Sequence, residues 1–131
     1  MKKTDLINKM LAVESRIASE KGPFVLFALF QREDDSLGQW DLVFAAPWAD
    51  ADPIGALYYV DKILQVSLNA AESVSISMIA PVQTQDPGVK EVLDTVAGEH
   101  GLAEIRNKEF FDKPIKRAYI IIAKSAQPLP A

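Results

Sequence analysis

The chain contains no cysteine. Disulfides, thiolate catalysis and cysteine-ligated zinc are therefore excluded together. His100 is the one histidine, so a metal site of two histidines is impossible and a serine–histidine–acid triad would have to use that ring. No G-x-S-x-G elbow is present, and Ser73, Ser75 and Ser77 fall in a stretch of strand periodicity, not at a sharp turn. Glycine is scarce, six in 131 residues, and no loop has the cluster that a phosphate cradle requires. The acidic residues show no spacing like that of a calcium loop. No apolar run approaches the ~20 residues of a membrane helix. The opening MKKTDLINKMLAVESR is interrupted by Asp5, Asn8, Lys9 and Glu14, unlike a signal peptide. A net charge of −4 disfavours nucleic acid, which selects clustered lysine and arginine. The expectation is a cytoplasmic protein with no membrane segment, no cofactor and no metal.

What is present is apolar patterning. From Phe24 the chain reads FVLFALFQRE, then the polar DDSLGQ, then WDLVFAAPW. The first run is apolar at nearly every position, as a strand covered on both faces would be. The second alternates around Trp40, Leu42, Phe44, Ala46 and Trp48, which places Trp40 and Trp48 on one strand face. Asp34, Asp35, Ser36 and Gly38 suit an irregular loop. Together they predict a β-hairpin at the centre of a sheet.

Residues 4–20 have the period of an amphipathic helix, with Leu6, Met10, Val13 and Ile17 on one stripe, Thr4 or Asp5 as cap, and Gly22-Pro23 as stop. Asp52-Pro53 and Asp86-Pro87 each pair an N-cap with proline at the first helical position. They predict helices from Pro53 to about Leu68, and from Pro87 to the Gly98–Gly101 region with Val89, Val92, Leu93 and Val96 inward. Ser73–Ala80 alternates serine with apolar residues and predicts a strand. Leu102–Phe111 predicts a charged edge strand, Asp112–Pro114 a turn, and Lys116–Lys124 an apolar strand.

The order α-β-β-α-β-α-β-β implies an α/β fold shading into α+β: one domain over residues 1–124, a mixed sheet of about five strands with helices packed on it, and a flexible tail over 125–131. If the middle strands are parallel, their C-terminal rim gathers Trp48, Asp50, Asp52, Gln83, Thr84, Gln85, Asp86, Lys113 and Lys116. Open α/β sheets bind ligands at such rims. The candidate ligand group is Trp48, Asp50, Gln83, Thr84, Gln85 and Lys113. Helix capping by Asp52 and Asp86, and solvation of the loops, account for the same residues with less chemistry. Asp41, Glu104 and Lys108 are the acids and lysine that a nuclease-type site would need, and alternating surface charge explains them better. Lys108, Lys113, Lys116 and Arg117 are the only basic cluster. Trp48, Tyr58 and Tyr59 form a candidate contact surface, since aromatics anchor interfaces. No residue is assigned a catalytic role. The expected function is a non-enzymatic interaction or regulatory module that contacts a protein partner or itself. The alternative is a small-molecule-binding protein or carboxylate-dependent enzyme using the rim.

Overall fold

A computed structural model describes residues 3–32, 39–96, 103–111 and 113–123. The candidate hairpin loop at Asp34–Gly38, His100 with the expected helix end at 98–101, Asp112 and the tail at 125–131 lie outside the described residues. The elements are α1 (Lys3–Lys21), β1 (Leu26–Arg32), β2 (Trp40–Ala45), α2 (Pro47–Asp50), α3 (Pro53–Ser67), α4 (Ala70–Val74), β3 (Ile76–Pro81), α5 (Pro87–Thr95), β4 (Ala103–Phe110) and β5 (Lys113–Ala123). The five strands form one mixed sheet in the order β3-β2-β1-β5-β4. Helices pack on it, as an α/β fold requires.

The apolar run in β1 becomes the middle of that sheet. β1 pairs antiparallel with both β2 and β5, with Leu26 opposite Ala45 and Ala123. Its side chains alternate between two cores. Phe27 and Leu29 enter a cluster with Leu6, Met10, Val13 and Ile17 of α1 and Val60, Ile63 and Leu64 of α3. Leu26, Ala28 and Phe30 enter a second cluster with Val89, Val92 and Val96 on the other face. The sheet is thus the middle of three layers. Full burial of each large apolar side chain contributes about 1.5–3 kcal/mol. Among the described residues, no helix is long and apolar enough to cross a membrane.

β2 and β3 are parallel and joined through α3. Up to this point the expected parallel section holds. The next crossover does not continue it. From β3 at one edge, the chain passes α5 on the second face and enters β4 at the opposite edge, where β4 pairs antiparallel with β5. Relative to β1, strands β2, β3 and β5 run one way and β4 the other.

Four local expectations need correction. α1 begins at Lys3, so Thr4 and Asp5 lie inside its first turn; Asp5 there favours the positive end of the helix. β2 stops at Ala45, and Pro47 opens a short helix that carries Trp48 off the strand. The stretch from Ser73 does not begin a strand: Asn69 caps α4 by accepting from Glu72 N–H, and Glu72 returns the bond to Asn69 N–H. This reciprocal capping box overrides the serine alternation, and pairing with β2 starts only when Trp40 N–H reaches the Ser75 carbonyl. Finally, β5 starts at Lys113. Pro114 precedes Ile115, the first residue of β5 opposite β1, so no bond to β1 is lost to its missing N–H.

Glu72 is nearly inaccessible and ties α4 back to α1, its Oε1 accepting from Lys9 Nζ at 2.6 Å and from Asn69 N–H at 2.8 Å. The lysine, and then the backbone donor, hold its carboxyl below the usual value of 4.5. A depressed folded-state pKa stabilises the fold above the unfolded value, and that contribution disappears as pH falls through the folded one. Denaturant unfolding between pH 6 and pH 3 should therefore show a shallower loss of stability in Glu72→Gln than in the wild type. Equal slopes would contradict the assignment.

Candidate functional site

Because β2 and β3 are parallel, the segments that follow them meet at one end of the sheet. Asp50, the last residue of α2, accepts from Thr84 N–H at 3.0 Å and from Thr84 Oγ1 at 2.5 Å, using one carboxylate oxygen for each. Gln83 Nε2 donates to the Asp50 carbonyl at 3.4 Å. Gln85 is exposed beside them. Asp50, Gln83 and Thr84 are therefore brought together, and the carboxylate serves as a clamp between the two loops. Asp52 accepts from Gly55 N–H at 3.0 Å and Asp86 from Gly88 N–H at 2.7 Å. Both are N-caps.

Lys113 does not join this rim. It starts β5, and Ile115, two residues on, faces Arg32 at the end of the sheet opposite to Ala45. Lys116 follows it on that strand. The separation follows from β5 running antiparallel to β1, so that the strand starts where β2 also starts.

The three candidate contact aromatics divide. Trp48 donates from Nε1 to the Gly22 carbonyl at 3.1 Å, stacks on Phe44 at 6.4 Å and meets Phe24 edge-on at 5.7 Å. Gly22 sits at φ +121°, a left-handed helix stop that a side chain rarely adopts. Trp48 thus closes the corner where α1 turns into β1. Tyr59 donates its hydroxyl to the Glu20 carboxylate, and Lys21 Nζ lies 4.9 Å from its ring centre. The shared hydrogen bond holds the Glu20 carboxyl below its ordinary range and pushes the Tyr59 hydroxyl up. Tyr58 alone points outward, at 69% exposure. It borders a groove of about 360 Å³ between α3 and β3, whose apolar lining includes Leu57, Leu68, Ile76 and Ile79.

A second concavity, about 190 Å³, opens on the α5 face of the sheet. Phe30, Val43, Ala80, Phe110 and Ile115 contribute from the strands, and Phe111 from the β4–β5 turn. Its charged groups are Arg32, Asp41 and Lys113. Asp41 is only 5% exposed, and Arg32 Nε lies 3.2 Å from its Oδ2. Phe111 adopts φ +54° and lies against Gly88, where an added Cβ would come within 2.3 Å of the ring.

The nuclease-type grouping does not form. Asp41 faces this second layer, whereas Glu104 accepts from the Tyr119 hydroxyl at 2.6 Å, and Tyr119 belongs to the α1 core. Lys108 borders α5 beside Glu91 and Asp94. Arg117, the last of the basic cluster, is opposite Arg106. Among the described residues, no three acidic or histidine side chains converge as metal ligands.

The Arg32–Asp41 pair is what reading the sequence overlooked. The signal was a charge on each arm of an otherwise apolar hairpin, at positions that antiparallel pairing brings to one face: Phe30 lies opposite Asp41, and Arg32 two residues beyond it. No protein-family model, curated protein or solved structure matches the chain.

Removing a charged acceptor that takes two hydrogen bonds costs about 1.5–3 kcal/mol, less where solvent can substitute. Losing an N-cap costs about 1 kcal/mol. Asp50→Ala should therefore lower the melting temperature at least as much as Asp52→Ala or Asp86→Ala, each of which should lower it by roughly 3–5 °C. An Asp50→Ala protein of unchanged melting temperature would show that the clamp carries no stability.

Proposed function

We propose that this chain is a non-enzymatic contact module whose working surface is the β3 edge with the adjoining α3 groove. The contrast between the two sheet edges carries the reading. β4 presents Glu104, Arg106, Lys108 and Glu109, the charges by which natural edge strands discourage pairing. β3, Ile-Ser-Met-Ile-Ala-Pro, has no charge at all. Met78 on this strand is 42% exposed, and Tyr58, which borders the adjoining groove, is 69% exposed. An open edge with an apolar groove next to it suits an added strand, whose backbone supplies affinity and whose side chains fill the groove.

The occupant we assign is a second copy of the chain. Antiparallel pairing of two identical edges is two-fold symmetric, so it closes as a dimer and leaves no further edge of the same kind. Among the described residues, Asp61 is the one acid lining the groove.

Sedimentation velocity over a range of micromolar concentrations should show a monomer–dimer equilibrium. Ser77→Lys, which places a charge on the edge, and Tyr58→Lys, at the groove, should each weaken dimerisation at least tenfold, about 1.4 kcal/mol. Both positions are exposed, so thermal stability should stay within about 0.5 kcal/mol. A wild type that remains monomeric at all concentrations contradicts this reading.

A further inference from the structure

The groove between α3 and β3 holds a single charge. Asp61 lines it, half-buried, and accepts from Gln65 Nε2 at 2.8 Å. Among the described residues, that neutral amide is the one partner of its carboxylate. No lysine, arginine or histidine lines the groove from α3, α4 or β3, and Tyr58 is the one other titratable side chain there. The charged neighbours in the chain lie outside the lining: Lys62 is exposed on α3, and Glu72 of α4 is taken by Lys9 at 2.6 Å.

Asp61 also lacks the structural duty that the other aspartates of this region have. Asp50, Asp52 and Asp86 each accept a backbone N–H and so fix a loop or a helix start. Asp61 takes only a side chain one turn along its own helix. It interrupts the stripe of Leu57, Leu64 and Leu68, where an apolar residue would make the contact more cohesive.

Two-fold symmetry decides what that single acid does. An isologous contact offers the same patch from both copies, so a charge on it is met by an equal charge of the same sign. Here two carboxylates and no cation enter one contact. Covering the grooves withdraws water from both, and a charge buried without a partner is costly. Desolvation and a like charge each favour the protonated form of an acid.

We infer that Asp61 makes self-association proton-dependent. At neutral pH the two carboxylates oppose closure of the grooves, and proton uptake from solvent removes that opposition. The inference rests on the dimer reading and names its regulation. The sign follows from linkage: the dimer binds more protons than two monomers, so association tightens as pH falls. The net charge of −4 also opposes association and also shrinks with pH. That repulsion is long-range and is screened by salt, whereas desolvation within the groove is local.

The test is sedimentation velocity of the full chain at pH 7.5 and pH 5.5, in about 1 M salt, where the screening length is about 3 Å. The wild-type dimer Kd should be at least threefold tighter at the lower pH. Asp61→Asn keeps an oxygen for the Gln65 amide; it should dimerise at least fivefold more tightly than the wild type at pH 7.5, with the same Kd at both pH values. Asp94→Asn removes an equal charge from an exposed position on α5 and should behave as the wild type. A pH-independent wild-type dimer, an Asp61→Asn dimer no tighter than the wild type, or an Asp94→Asn dimer as tight as Asp61→Asn would each overturn this inference and leave the dimer reading standing. Monomers throughout, in the wild type and in Asp61→Asn alike, would overturn the dimer reading and this inference with it.

Discussion

The two-sided burial of β1 is the constraint on which the remaining structure depends. A strand whose every side chain from Leu26 to Phe30 is buried cannot lie at an edge, and it cannot have one face in water. It therefore requires a strand on each side and a helical layer on each face. β2 and β5 satisfy the first need, α1 with α3 and α5 the second. The two layers are unequal. Two long helices cover one face and the nine-residue α5 covers the other. Where α5 does not reach, Phe110 and Phe111 close the sheet only in part, and the cavity by Arg32 and Asp41 remains.

Polar groups at the periphery fix how the layers attach. Trp48 fastens the end of α1 through the Gly22 carbonyl, Glu72 fastens α4 to α1 through Lys9, and Asp50 fastens the loop before α5 through Thr84. Each joins segments far apart in the chain. Their chemistry is therefore spent on architecture: a carboxylate that takes two donors from Thr84 is a poor starting point for ligand capture. The uncharged β3 edge stands outside these ties, and the functional reading rests there.

Local rules made much of the fold legible. The stripe Leu6, Met10, Val13, Ile17, the caps Asp52 and Asp86 ahead of proline, and the doubly apolar β1 each state a physical requirement within a few residues. What local pattern does not hold is where distant strands pair. Nothing in Ala103–Phe110 states that it crosses to the far edge, and the placement of Lys113 depended on that. Two misreadings were local competitions. At Ser73–Ser75, alternation suggested a strand, but Asn69 and Glu72, three residues apart, formed a capping box that closes a helical turn. At Trp48, even spacing suggested one strand face, yet Pro47 had already turned the chain into α2. The candidate surface was less legible, because β3 acquires meaning as an edge only once the strand order is known.

The central claim, that β3 is an edge built to be covered, is tested most directly by amide hydrogen exchange in β3 as a function of protein concentration. Pairing with a second copy sequesters edge N–H groups, so exchange across Met78–Ala80 should slow as concentration rises while the edge amides of β4 stay unchanged. Exchange in β3 that is fast and independent of concentration, or slowing shared equally with β4, would contradict the account.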